Sequence, residues 1–274
     1  MDNLHCKLEQ LKKYFVELES VVIGFSGGVD STFMLQVACE VLPPEKLLAV
    51  TAVSAFFPQR EMIEAKNFCT ERKINHLFMP VDVLKIAGVR QNPNNRCYLC
   101  KKNLFTQIKN VAKDNGIRWV CEGSNMDDIG DYRPGMQAIT ELGIKSPLRH
   151  ANLSKQEIRN LSQEMNLPTW NKPSFACLAS RFVYGEQITE EGLAMVDKAE
   201  QLLSNLEFRQ FRVRIHGKMA RIEIEPSDFT RIIQPEIREK IIKEFTDFGF
   251  SYVSLDLNGY CMGSMNKTIL EAGK

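Results

Sequence analysis

Val21-Val22-Ile23-Gly24-Phe25-Ser26-Gly27-Gly28-Val29-Asp30-Ser31-Thr32 is a short apolar run that ends in Ser-Gly-Gly. It passes at once into apolar residues at helical spacing, Phe33, Met34, Leu35, Val37, Ala38 and Val41. The order predicts a buried strand, a tight turn and a helix N-terminus. Such a junction is an anion site: the glycines let backbone N–H groups approach a phosphate, and the positive end of the helix lies beside it. Asp30, Ser31 and Thr32 add a cap, hydroxyls and a candidate magnesium ligand. The chain has no Gly-rich loop trailing into Gly-Lys-Ser/Thr.

The hexapeptide Ser26 to Ser31, SGGVDS, resembles the PP-loop of ATP pyrophosphatases. That resemblance implies cleavage of ATP between its α and β phosphates, with AMP left on an oxygen of the substrate. A Gly-rich turn of no special purpose is the bland reading, and a fixed hexapeptide between strand and helix weighs against it.

Outward from this motif, residues 3–18 carry Leu4, Leu8, Leu11, Phe15 and Leu18 at helical spacing. Pro43-Pro44 stops the helix after the loop, residues 47–53 read as a second buried strand, and Pro58 opens an amphipathic helix to about Lys73. A third strand is expected at 76–79, a helix at 101–115, a strand at 119–122 and a short strand at 144–148. Ser154-Lys155-Gln156-Glu157 has capping-box form and starts a helix ending near Asn166. Alternating strands and helices predict an α/β fold with a mostly parallel sheet covered on both faces, and ligands at the carboxyl ends of the strands. Beyond the loop-like stretch 169–185 the pattern changes: a helix at 189–204, strands at 211–215 and 220–225, a helix at 227–248 and a strand at 252–257. A domain boundary is therefore expected near residue 185, with a PP-loop domain over 1–185 and a smaller α+β domain over 186–274.

The 274 residues are 44% hydrophobic and carry 35 basic against 34 acidic side chains, which argues for a globular chain whose polyanion sites are local. No apolar run reaches membrane-spanning length and no signal-peptide layout is present, so a cytoplasmic protein with no membrane partner is expected. In that setting the eight cysteines are expected as thiols, with Cys39, Cys69 and Cys121 as small core residues.

Four further stretches carry chemistry. In residues 122–135 a strand ends at Gly123 and meets a dense set of acids with Arg133; this offers close backbone approach, carboxylates for magnesium and a grip on phosphate, or else an acidic surface turn. At 51–60, Ala52 and Ser54 stand where backbone could read an adenine edge, with Arg60 near phosphate, while Phe56 and Phe57 could equally pack between loop and helix. Cys97-x-x-Cys100 at a loop-to-helix junction suits a metal, an iron–sulfur cluster or a redox pair. A structural zinc would want four ligands, and no second Cys-x-x-Cys supplies them; with Cys177, three thiolates suit a cluster with one open iron better than closed zinc. Finally, Phe211-Arg212-Val213-Arg214-Ile215-His216 puts Arg212, Arg214 and His216 on one strand face. Such a face is commonly solvated; with Arg209 and Arg221 nearby it could bind a phosphate or mononucleotide.

Taken together, SGGVDST, the TAVS segment, EGSNMDDIGDYRPG and KPSFACLASRFVYG resemble the LarE family over nearly the whole chain, and PSFACLASRF is the most specific part. The resemblance implies an ATP- and magnesium-dependent sulfur transferase of nickel-pincer nucleotide synthesis. Its substrate would be pyridinium-3,5-biscarboxylic acid mononucleotide, adenylated at a carboxylate and then converted to a thiocarboxylate. By the same resemblance Cys177 is the family cysteine, used either as a sacrificial sulfur donor or, with Cys97 and Cys100, as a ligand of a 4Fe-4S cluster carrying an extra sulfide. The presence of all three cysteines favours the cluster form, fed by a sulfide or persulfide donor. Ser26, Gly27, Gly28, Asp30, Ser31, Thr32, Ala52, Ser54, Arg60, Gly123 and Arg133 are then candidates for ATP, and Lys101, Arg212 and Arg214 for pyrophosphate or substrate phosphate. Asp30 and Cys177 are the candidate catalytic groups. Family members form homo-oligomers, including hexamers. A PP-loop tRNA thiolase is disfavoured by the near-neutral charge and the lack of an RNA-binding appendage. An amidotransferase would need a glutaminase domain, and a nucleotide sensor with structural zinc is the non-enzymatic alternative.

Overall fold

The strand, turn and helix read from residues 21–41 form as β1 (Val21–Gly24) and α2 (Val29–Val41), behind α1 (Asn3–Leu18). The structure is a computed structural model and describes residues 3–129, 134–174 and 176–261. The chain divides into two compact units, residues 3–82 with 97–174, and residues 83–96 with 176–261.

In the first unit, β2 (Leu47–Val53), α3 (Gln59–Glu71), β3 (His76–Pro80), α4 (Arg96–Asp114) and β4 (Trp119–Cys121) follow. The four strands lie in the order β3-β2-β1-β4, all parallel, with Val21 opposite Leu47 on one side and Trp119 on the other. This is the expected α/β sheet. Because β1 is central, Val21, Val22 and Ile23 have no exposure, and Leu11, Phe15, Phe33, Met34 and Leu35 join them in the core. Each such side chain removed from water contributes about 1.5–3 kcal/mol. The chain order β1-α2-β2 with β1 beside β4 leaves the carboxyl end of β1 at a switch in strand order, and the Ser-Gly-Gly turn stands there.

Three local expectations are corrected. The helix expected from Lys101 begins at Arg96, so Cys97 and Cys100 both lie in its first turns rather than at a junction ahead of it. The strand expected at 144–148 is one bridge, Cys121 to Lys145, after which Pro147 opens α6 (Pro147–His150). Proline lacks the N–H that would extend the ladder and its fixed φ suits the first position of a helix. The capping box at Ser154 forms as read: Ser154 Oγ accepts from the Glu157 amide at 3.3 Å, and the Ser154 amide donates to Glu157 at 2.8 Å. It starts α7 (Lys155–Glu164), which follows α5 (Pro134–Glu141) and α6.

In the second unit, α8 (Glu190–Asn205) packs on β5 (Phe211–His216), which pairs antiparallel with β6 (Met219–Ile224); β7 (Tyr252–Leu255) adds parallel to β6. The single helix expected at 227–248 is the third correction: it is broken into α9 (Phe229–Ile232) and α10 (Pro235–Asp247), because Pro235 cannot donate to the preceding turn. Among the described residues no helix is long and apolar enough to cross a membrane.

Candidate active site

The Ser-Gly-Gly turn is built by its own hydroxyls and by one left-handed residue. Gly27 has φ +71°, the left-handed region that favours glycine, while a Cβ there would meet the Glu61 carbonyl oxygen of α3 only at an ordinary 3.4 Å contact. Ser31 Oγ donates to the Gly28 carbonyl at 3.2 Å, lies 3.1 Å from Ser26 Oγ, and accepts from the Ser26 amide at 3.3 Å. Gly28 is the N-cap of α2 with no side-chain cap of its own. The first amides of α2 therefore keep donor capacity for a ligand, and the helix end is positive. Behind the turn, Thr51 Oγ1 donates to the Phe25 carbonyl at 2.7 Å, fixing its base to β2.

Asp30 lies in the first turn of α2 and is gripped from elsewhere in the chain. Lys155 Nζ stands 2.6 Å from one carboxylate oxygen, and Asn125 Nδ2 donates to the other at 3.2 Å. The Asp30 side chain is 24% exposed. Magnesium commonly binds through one or two carboxylates and the phosphates of a substrate, and a single accessible carboxylate beside free helix amides fits that donor pattern. The neighbouring acids are used locally: Asp128 accepts from the Asn125 amide at 2.9 Å and Asp127 from the Lys155 amide at 2.9 Å.

The loop after β4 reaches the same turn. A Cβ on Gly123 would lie 3.3 Å from the Ser31 amide nitrogen and 3.4 Å from Asp30 Cβ, the close backbone approach expected of this glycine. Thr32 is fully buried in α2, so its hydroxyl is closed to a ligand, whereas Ser26 is exposed. Ala52 is half-buried one residue before the end of β2, and Ser54, just past the strand, accepts from the Phe56 amide at 3.2 Å. Phe56 itself is 1% exposed and belongs to the core. Arg60 stands in the first turn of α3, and Arg133 lies outside the described residues. On α4, Lys101 lays its aliphatic stem over Gly135, where a Cβ would come within 2.8 Å of Lys101 Cδ. Cys97 and Cys100 are half-buried one turn apart on that helix, at the i, i+3 spacing that puts two side chains on one face.

Cys177 belongs to the second unit, half-buried at the head of a 3₁₀ turn over Leu178–Arg181. Three arginines hold this turn by its carbonyls. Arg181 donates to Ala176 O at 3.0 Å and Cys177 O at 3.4 Å, Arg214 donates to Ser180 O at 2.9 Å, and Arg96 donates to Ala179 O at 3.0 Å. Arg181 and Glu200 are both fully buried and pair through two bonds, 2.6 and 2.9 Å. Glu200 also accepts from the Val213 amide at 3.0 Å, closing part of the open edge of β5.

The arginine face of β5 is thus an internal layer and not a solvated one. Arg212 is 3% and Arg214 5% exposed; Arg214 pairs with Glu223 at 2.9 Å, and Arg212 donates to Phe211 O at 2.6 Å and lies 5.0 Å from the Tyr260 ring centre. Burial, then the nearby Arg181 charge, pulls Arg212 down to about 10, which leaves it protonated at neutral pH. Burial followed by Arg221 and Arg214 lowers His216 as well.

Among the described residues no three metal-ligating side chains are gathered in one cluster. Cys97 and Cys100 are two half-buried thiols on one helix face, and in the other unit Cys177 is a half-buried thiol at a turn whose carbonyls are held by cations, thiol donors of the type that iron–sulfur clusters use. Sequence reasoning assigned no role to Lys155, Asn125, Arg181, Glu200 and Arg96. Asn125 and Arg181 stand inside the motif stretches and Lys155 opens a capped helix, but what each holds depends on pairings that the local pattern does not show.

A sequence model of the NAD synthase family matches residues 6–113. The chain is 41% identical over 266 residues to an uncharacterised protein of Synechocystis sp., covering 97% of this chain and 99% of that one. It is 34% identical over 272 residues to the pyridinium-3,5-bisthiocarboxylic acid mononucleotide synthase of Lactiplantibacillus plantarum, covering 99% and 98% of the two chains. An uncharacterised protein of Methanocaldococcus jannaschii is 31% identical over 255 residues, 93% of this chain and 96% of that one. The near-complete overlap with the synthase, on a PP-loop sheet whose Ser-Gly-Gly turn stands at the switch in strand order, shows that the chain belongs to the LarE family of ATP-dependent sulfurtransferases.

Proposed function

We propose that this protein adenylates a carboxylate of pyridinium-3,5-biscarboxylic acid mononucleotide and converts it to a thiocarboxylate, with Cys97, Cys100 and Cys177 as ligands of a 4Fe-4S cluster. The observation that carries the reading is the 34% identity to a synthase of the bisthiocarboxylic nucleotide over 99% of the chain. The exposed Ser26, the left-handed Gly27 and the open amides of α2 support ATP binding at the turn, and Ala52, Ser54, Arg60, Gly123 and Arg133 are proposed as further ATP-binding residues.

In the first step the substrate carboxylate oxygen bonds to the α-phosphorus of ATP as the bond to the β-phosphate oxygen breaks. Pyrophosphate leaves, and AMP remains on the acyl oxygen. The helix amides and Lys101 receive charge on the departing phosphates, and Asp30 is the residue that would hold magnesium. In the second step a sulfur nucleophile attacks the acyl carbon and AMP leaves with the former carboxylate oxygen, so a poor leaving group has become a good one. When bound, a cluster with one open iron supplies a sulfide for this attack, replenished by a sulfide or persulfide donor. Arg212 and Arg214 in the C-terminal domain are proposed to bind the nucleotide phosphate, in a homo-oligomer as the family resemblance implies.

The test is anaerobic turnover by iron- and sulfide-reconstituted protein with ATP, magnesium and the carboxylated nucleotide. Pyrophosphate release and more than one thiocarboxylate per chain, with Cys177 intact by mass spectrometry, are expected. A single equivalent with Cys177 converted to dehydroalanine replaces the cluster by the sacrificial mechanism, and no pyrophosphate release removes the adenylation itself.

A further inference from the structure

Lys172 stands five residues before Cys177 and belongs to none of the groups assigned above. Its ammonium has three donors and three acceptors: the Gly27 carbonyl at 3.1 Å, Glu61 at 2.6 Å and Glu64 at 2.6 Å. The Lys172 and Glu61 side chains are each 13% exposed, so that pair is largely desolvated, while Glu64 stands at the rim with 54% exposure. The lysine is itself aimed by α7, where Arg159 donates to the carbonyls of Trp170 at 2.7 Å and Lys172 at 2.8 Å. One turn earlier on the same helix, at i and i+4, Lys155 holds Asp30. A single helix thus reaches both flanks of the Ser-Gly-Gly turn, Asp30 directly and Gly27 through Lys172.

We propose that Lys172 is a positioning residue for the ATP phosphates: it holds the Gly27 carbonyl back toward α3 and cancels the charge of Glu61 and Glu64. The inference rests on the reading of the turn as the ATP site. Gly27 is the left-handed residue of the turn, so the plane of the peptide that follows it decides whether an N–H or a C=O faces an incoming anion. Tying that carbonyl to a cation leaves the N–H side for phosphate. Glu61 and Glu64 would otherwise present two negative charges beside a site for a polyanion, and repulsion across a partly desolvated gap is large. The assignment separates Lys172 from a phosphate ligand: its three donors are already used on the protein.

The experiment is equilibrium binding of ATP to Lys172→Met, Lys172→Arg and the triple variant Lys172→Met with Glu61→Gln and Glu64→Gln, each checked for folding by circular dichroism and melting. Lys172→Met is expected to weaken ATP binding about tenfold, a loss of electrostatic support of the order of one close charge pair. Lys172→Arg should stay within about threefold of the parent, and so should the triple variant, because removing the two acids makes the cation unnecessary. A triple variant as weak as Lys172→Met overturns the proposal in favour of direct phosphate contact. Unchanged ATP affinity in Lys172→Met, with or without a lower melting temperature, reduces the lysine to a stabilising tie and also overturns it. If the parent protein fails to bind ATP, the nucleotide reading itself has failed, an outcome distinct from the other two.

Discussion

Arg181 and Glu200 meet through two bonds, Nε to Oε1 at 2.6 Å and Nη2 to Oε2 at 2.9 Å, with neither side chain reaching solvent. The same guanidinium reaches the carbonyls of Ala176 and Cys177, and the same carboxylate reaches the Val213 amide. The candidate sulfur-handling cysteine is thereby tied to α8 and to the edge of β5 through one buried pair.

Breaking that pair from one side leaves a buried charge without its partner. Glu200→Gln is expected to cost about 3–5 kcal/mol of unfolding free energy, measured by urea denaturation at neutral pH. A loss below about 1 kcal/mol, the range of exposed pairs, would show that the pair does little.

The same carboxylate sets an acid limit. Burial alone would raise the Glu200 carboxyl, but Arg181, Arg212 and the Val213 amide outweigh it and hold the group below the ordinary carboxylate range. The folded value is the lower one, so its stabilisation is complete above the unfolded value near 4.3 and is lost as pH falls from there through the folded value. Urea midpoints taken between about pH 6 and pH 3 should fall more steeply for the parent than for Glu200→Gln. Parallel profiles would assign the acid sensitivity elsewhere.

Asp30→Asn preserves shape but removes the charge that Lys155 and a magnesium ion would share. Magnesium-dependent pyrophosphate release should drop at least about tenfold, 1.4 kcal/mol in the barrier, while the melting temperature changes little because the ion pair is partly exposed. Release at the parent rate would exclude Asp30 from the phosphate chemistry.

Gly27→Ala puts a side chain on a residue held in the left-handed region at φ +71°. A destabilisation of about 1–2 kcal/mol is expected, together with weaker ATP binding as the turn shifts. An unchanged urea midpoint would mean that the turn relaxes without strain.

Thiol reactivity should divide by burial. Burial pushes the Cys69 thiol up to about 12 and raises Cys121 further still, so both stay protonated at neutral pH. Iodoacetamide on the folded protein freed of iron, followed by peptide mass spectrometry, should label half-exposed Cys177 and spare Cys69 and Cys121. Rapid modification of Cys121 would contradict its place in the central sheet.

Much of the fold was legible because local rules and the buried pattern agree. Val21 to Ile23 read as a strand and are the central one, Ser154 read as a cap and is one, and the spacing from Leu4 to Leu18 read as a helix and forms α1. The readings that missed did so where a proline or a helix N-terminus overrode the hydrophobic pattern, as at Pro147, Pro235 and Arg96.

By itself the sequence determined the parallel α/β layer, the phosphate-type turn at the carboxyl end of a strand and the presence of three cysteines in two separate stretches, since periodicity, glycine and residue type are local properties. Only the tertiary structure decided what each charge is for. Arg212 and Arg214 read as one strand face, either solvated or phosphate-binding, and lie in an internal layer; Lys155, Lys172, Arg181 and Glu200 carried no assigned role and hold the turn and the cysteine in place. The physical reason is range: an ion pair between residues 125 apart in the chain, as between Asp30 and Lys155, leaves no trace in the spacing of either.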